Sequence, residues 1–192
     1  MNSFARPRRL AAAFGLAAVL TLAAPSAQAT VVVPLSRQEL VDRSDLVVRA
    51  TVVAQQSFWN GDHSQIVTHT RLRVDAWMKG SGSQELVLEQ FGGTVDGLNS
   101  RVSGDAWLSL NQQAVLFLRA QNGLVFLTSL AQSVYFIDPG PSGALTVRRD
   151  LTQLSFARPV NGQYQISAAP LELSETLEHL AADVTRLARG AR

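Results

Sequence analysis

LVVRATVVAQQSFWNGDHSQIVTHTRLRVDAWMKG, residues 46–80, consists of two patterned runs joined by a turn signal. The first run is rich in β-branched residues, and Leu46, Val48, Ala50 and Val52 fall on one face at a period of two. Asn60-Gly61 marks a hairpin between the runs. In the second run Ile66, Leu72 and Val74 share a side with Thr68 and Thr70. His63, Gln65, His69, Arg71, Arg73 and Asp75 take the opposite side. Strict alternation of this kind is the pattern of a strand with one face in a core and the other in water.

The same pattern continues outward. Upstream, VPLSRQELVDRSD (33–45) carries Pro34, Ser36 and Glu39, a capping-box start for a short helix that ends near Arg43–Asp45. Downstream, GSGS (80–83) is a turn, and QELVLEQF (84–91) is a strand with Leu86 and Leu88 inward. AVLFLRA and LVFLTSL flank Asn122-Gly123 and read as a second hairpin of nearly continuous apolar strands, as expected of central strands covered on both faces. SVYFIDPGPSGALTVRR (133–149) reads as a hairpin through Pro139–Gly143, and Asn161-Gly162 is a further turn. In the tail, Leu173, Leu177, Leu180, Val184 and Leu187 are spaced 4, 3, 4, 3, which predicts an amphipathic helix over 171–189 packed on its own domain. Glu175, Glu178, Asp183, Arg186 and Arg189 take its other side. The expected fold is therefore mainly β: a small OB-type antiparallel β-barrel with a short N-terminal helix and a C-terminal helix.

The first 29 residues read as a signal peptide. Arg6, Arg8 and Arg9 precede an apolar run from Leu10 to Ala24, followed by Pro25 and by Ala27-Gln28-Ala29 as an A-x-A cleavage site. That apolar run is shorter than a membrane span, so no transmembrane anchor is expected in the mature form. Cleavage after Ala29 leaves one domain over 30–192, exported to the periplasm or the medium. The whole chain has 17 basic and 15 acidic residues. Loss of the three leader arginines leaves 14 basic residues against 15 acidic, a net charge of −1. A nucleic-acid partner, which requires a clustered basic face, is not expected. With no cysteine in the chain, disulfide staples, thiolate metal sites and thiol catalysis are all excluded.

The glycine-rich stretch QFGGTVDGLNSRVSGDAW (90–107) lacks the Gly-Lys-Ser/Thr end of a phosphate loop and the spaced acids of a calcium loop. It reads as a long inter-strand loop, Gly92–Gly104, whose glycines supply positive φ. His63 and His69, six residues apart on one strand face, stand roughly 20 Å from each other, too far to share a metal. His179 sits among helix-stabilising pairs with Glu175 and Asp183. GSGSQ (80–84) lacks the final glycine of a nucleophile elbow. No metal, cofactor or catalytic set is expected, and Trp59, Trp77 and Trp107 are the candidates for a binding surface.

VPLSRQELVDRSDLVVRATVV followed by THTRLRVDAWMKG resembles the netrin-like domain of the tissue inhibitors of metalloproteinases. In that family a short helix leads into such a first strand, and a later strand ends in a hydrophobic-Lys-Gly turn, here Met78-Lys79-Gly80. The resemblance covers about residues 30–90 and implies an OB-type barrel. It also implies a non-catalytic role as inhibitor of a secreted zinc metalloprotease. In the inhibitors, the α-amine and carbonyl of the first residue hold the protease zinc. After cleavage Thr30 has those groups, and Val31 would enter the specificity pocket. Family members carry disulfides, including one at the first residue, and this chain has none, so the terminus is expected to be mobile and inhibition weak. The alternatives are a general interaction or ligand-binding module and an undetected hydrolase.

Overall fold

The structure, a computed structural model, describes residues 30–140 and 143–190. The expected leader, 1–29, lies outside them. In chain order the first strands are β1 (Thr30–Val32), β2 (Leu46–Trp59), β3 (Ile66–Lys79), β4 (Glu85–Val95), β5 (Leu98–Arg101), β6 (Gln113–Gln121) and β7 (Leu124–Leu127). They are followed by β8 (Val134–Pro139), β9 (Leu145–Arg148), β10 (Leu154–Val160), β11 (Gln163–Ala168) and β12 (Glu175–Thr176). Helix α1 (Arg37–Arg43) lies between β1 and β2, and α2 (Leu177–Gly190) follows β12. The protein is mainly β, with one short helix near each end.

β2 pairs antiparallel with β3 and β6, β3 with β4, and β6 with β7. β7 returns to β4 in parallel at Leu88 and Val125. The pairings of β2, β3, β4, β7 and β6 thus close on themselves in a ring. β8, β9 and β12 extend the sheet beyond β6, and β5 folds back on β4. A separate three-stranded sheet joins β1, β10 and β11, with β1 parallel to β10.

Alternation along the strands sorts the apolar residues into two cores. Val48, Val52, Leu72, Leu88, Leu116 and Leu118 fill the inside of the ring. Val47, Val115 and Phe117 point to the outer side, where Leu40 and Val41 of α1 and Leu177, Leu180 and Val184 of α2 cover them. β6 is therefore apolar at successive positions because it is buried on both faces. β3 is wet at Arg71, Arg73 and Asp75 on its outer face and dry at Thr70 and Leu72 on its inner face, as the alternation predicts.

Ser36 caps α1. Its hydroxyl accepts from the Glu39 N–H, and the Glu39 carboxylate accepts from the Ser36 N–H. At the other end of the same seven-residue helix, the Lys79 ammonium donates to the Val41 and Ser44 carbonyls, both at 2.7 Å. The Lys-Gly turn thus fastens the end of β3 to the open carbonyl end of α1. Gly80 follows at φ +75°, where a Cβ would lie 2.6 Å from the Leu46 side chain. Lys79→Met leaves two part-buried carbonyls without a charged donor. It is expected to cost about 1–3 kcal/mol, read as a lower urea midpoint at unchanged slope.

Three sequence expectations change. Asn60-Gly61 joins β2 to β3 through a six-residue loop, 60–65, and not through a two-residue turn. The Asn60 side-chain oxygen accepts from the N–H groups of Ser64 and Gln65 and shapes the loop. His63, at φ 56°, therefore stands in this loop and not on the strand. The tail helix begins at Leu177 and not at 171. Glu175–Thr176 pairs with β9 instead, and the Thr176 hydroxyl accepts from the His179 N–H and starts the helix there. Leu173, first of the apolar stripe, is left 88% exposed. Within the glycine-rich stretch, β4 runs through Gly92-Gly93 to Val95 and turns back as β5 through Asp96-Gly97, both at positive φ. Aspartate and glycine in succession are a strong turn signal, so most of the expected loop, residues 92–101, is a hairpin.

Candidate functional site

The inward side chains of β2, β3 and β4 change character along the ring. Val48 and Val52, Leu72, and Leu86 and Leu88 are apolar at one end. Toward the other end the inward positions are Gln55 and Ser57, Thr68 and Thr70, and Gln90. Register aligns them across the strands: Ser57 opposes Thr68, which opposes Gln90, and Gln55 opposes Thr70. The ring therefore has an apolar core and a polar mouth.

Residues 102–112, between β5 and β6, close over this mouth. Ala106 and Leu108 are buried against the inner core. Gln90 Nε2 donates to the Ala106 carbonyl at 2.9 Å and to the Asp105 carboxylate at 3.1 Å. Gln55 Nε2 donates to the Leu108 carbonyl at 3.1 Å and to the Thr70 hydroxyl at 3.2 Å. A cavity of about 150 Å³ remains between cover and ring. Its floor is Gln55, Ser57, Thr68 and Gln90; its walls include Phe91, Arg101, Asp105 and Trp107. The Arg101 guanidinium lies 4.2 Å from the Trp107 ring centroid. Burial pushes the Asp105 carboxyl above the usual carboxylate range, against the opposing pull of hydrogen bonds from Gln90 and the Ala106 N–H.

Gly93 makes this geometry possible. At φ 137°, a Cβ there would overlap the Ser57 and Thr68 hydroxyls. Only a residue without a side chain lets β4 cross the mouth this closely.

Thr30, the first residue of β1, is bonded to segments that border the same site. The Thr30 N–H donates to the Gln153 carbonyl, its hydroxyl donates to the Ser103 carbonyl, and its side chain packs on Gly104. Gln153 itself lines the cavity. The segment expected to be mobile is thus held as β1, in register with Leu154–Phe156 of β10. Val31 is half-exposed. Backbone pairing thus restrains Thr30–Val32.

The three tryptophans separate. Trp107 lines the mouth and is half-exposed. Trp59 lines a neighbouring surface cleft that shares Phe91, Gly92 and Val102 with it, and the His63 ring stacks on Trp59 at 6.1 Å. Trp77 packs against the inner core and over Gly82, away from both. The histidines do not meet. His69 bonds to Glu89 across β3 and β4, and His179 bonds to Glu175. Among the described residues, no group of three His, Asp or Glu stands close enough to hold a metal, and no helix is long and apolar enough to cross a membrane.

Phe91, Arg101, Asp105 and the polar mouth do not stand out in the sequence alone. The available signal is the loss of apolar residues at inward positions of β3 and β4, at Thr68, Thr70 and Gln90; Gln55 and Ser57 turn inward only through the register shift between Val52 and Ala54. No protein-family model matches this chain, and no curated protein matches it.

Proposed function

We propose that the protein is an exported, non-catalytic binding domain of the OB type, netrin-like in form, which acts through the mouth of its strand ring. The OB-type reading is supported by the order of the ring, in which the third and fifth strands of the five are the parallel pair. Such barrels bind ligands with strand faces and the loops beside them. The partner is a secreted zinc metalloprotease, engaged by Thr30 and Val31 once the leader is removed after Ala29. One observation carries this reading: the strand that would begin the mature chain is bonded to Gln153, which lines the same cavity as Trp107. Because β1 is already ordered, binding avoids an ordering cost of roughly 1–2 kcal/mol per residue. An α-amine with an ordinary pKa of about 7.7–8.0 has a neutral, zinc-binding fraction near pH 7.

Inhibition of a zinc protease from the same secretome tests the proposal. The protein beginning at Thr30 is expected to inhibit, and one extra Ala before Thr30 should abolish inhibition without changing the melting temperature. Trp107→Ala should weaken it by about tenfold or more, as for an exposed aromatic anchor. Equal inhibition by the extended protein would remove the terminus from the mechanism. No inhibition by either would leave the cavity as the site of a general ligand-binding module.

A further inference from the structure

The side chains on the floor of the mouth cavity have spent their hydrogen-bond donors. Gln90 gives both amide hydrogens to Asp105 and the Ala106 carbonyl. A carbonyl and a carboxylate can only accept here, so these partners fix the orientation of the amide. Gln55 is fixed in the same way by the Leu108 carbonyl. Thr68 donates to the Gly92 carbonyl, which leaves Ser57 as the donor in the Ser57–Thr68 bond at 2.8 Å. The groups left over on the floor and at Asp105 are acceptors: the amide oxygens of Gln55 and Gln90, the Ser57 oxygen and the Asp105 carboxylate; the donor that remains on the wall is the Arg101 guanidinium.

Asp105 receives only the Gln90 amide and the Ala106 N–H and has no ion pair among the described residues. A half-buried carboxylate without a cation is costly. Arg101 stands on the same wall, exposed and without an ion pair among the described residues, and lies on Trp107 instead. That aromatic face therefore accepts a cation in this structure already.

Resting on the binding-domain reading above, we infer that the mouth is a site for a nitrogen cation, a primary ammonium or guanidinium, with Asp105 as its counter-ion and Trp107 as its aromatic wall. The volume, well below the 300–1,000 Å³ of pockets for drug-sized ligands, suits a head group and not a whole ligand. Arg101 competes with the guest for the Trp107 face and makes no polar contact that the site needs.

Titration of the secreted protein, followed by the NMR signals of the Ala106 amide and Trp107 indole, tests this. Methylammonium and methylguanidinium are the free probes; a short peptide with one Arg or Lys is the chain-borne one. Acetate and glucose are the controls. Cation binding is expected at about millimolar affinity, tightening as pH rises through the Asp105 titration and then levelling. Asp105→Asn should weaken it at least tenfold, and Arg101→Ala, at an exposed position, should tighten it. A peptide that binds more tightly than the free probes makes the source a protein chain; equal binding makes it a small amine. Acetate or glucose binding as well as the cations, a flat pH profile, or Arg101→Ala weakening the cation would each overturn the inference. Loss of cation binding in all arms, with protease inhibition by the Thr30 form intact, would overturn this inference alone and leave the proposed function standing.

Discussion

Leu180→Asp is expected to unfold the protein at room temperature. Leu180 is fully buried on α2, in the outer core with Leu40, Val41, Val47, Phe117 and Tyr135. Truncating such a side chain to Ala costs about 2–5 kcal/mol through lost transfer energy and the cavity left behind. Aspartate adds the burial of a charge with no partner among these apolar neighbours. Together these approach the whole stability of a typical domain, about 5–15 kcal/mol. Leu180→Ala supplies the graded control. At about 2–4 °C per kcal/mol for a chain of this size, its melting temperature should fall by roughly 5–20 °C. A melting temperature unchanged in both variants would mean that α2 does not pack on the sheet.

The second large effect concerns Arg37 on α1. Its guanidinium bonds to Asp183 at 2.8 Å and to Glu175, and it lies over the Tyr135 ring at 5.9 Å. One cation thus joins α1 to α2 and to the strand end that precedes α2. Removing it takes away the cation that Asp183 and Glu175 share and leaves Asp183 with Arg186 and Glu175 with His179. Breaking a fully buried pair costs 3–5 kcal/mol. Because about a quarter of the Arg37 side chain stays exposed, Arg37→Ala is expected to cost about 2–3 kcal/mol. A pH series checks the mechanism. The hydrogen bond from Arg37, followed by that from Arg186, holds the Asp183 carboxyl below the usual carboxylate range. A folded-state pKa depressed in this way stabilises the protein above the unfolded value. That contribution disappears as pH falls from there through the folded value. Unfolding at neutral pH should therefore separate wild type from Arg37→Ala by the full amount, and the two should converge at strongly acid pH. A gap that persists there would assign the effect to the packing of the Arg37 stem on Tyr135.

The mouth has a legible half and a hidden half. Alternation in 66–79 specifies that Thr68 and Thr70 of β3 face inward, but on β2 it holds only as far as Val52, and a register shift between Val52 and Ala54 turns Gln55 and Ser57 inward instead of Gln56 and Phe58. Nothing local in 102–112 shows that this irregular segment closes the mouth, because its hydrogen bonds go to Gln55 and Gln90 on distant strands. Asp105 and Trp107 consequently read as loop residues until the ring places them. The leader and the partner rest on arguments from sequence and from resemblance.

The sequence by itself determined what depends on near neighbours. It specified the capped start of α1 at Ser36, the extent of β2, the hairpin at Asn122-Gly123 and the inward residues of β3 and of β2 as far as Val52. These follow from side-chain period and turn chemistry, which act over a few residues. Tertiary structure decided what depends on pairing between distant segments. The parallel contact of β7 with β4 closes the ring, and the hold of β10 on Thr30–Val32 orders the expected mature start. The pairing of Glu175–Thr176 with β9 delays the tail helix until Leu177, although the apolar stripe begins at Leu173. In each case backbone hydrogen bonds to a strand far away in sequence outweigh a local preference worth less than about 1 kcal/mol per residue.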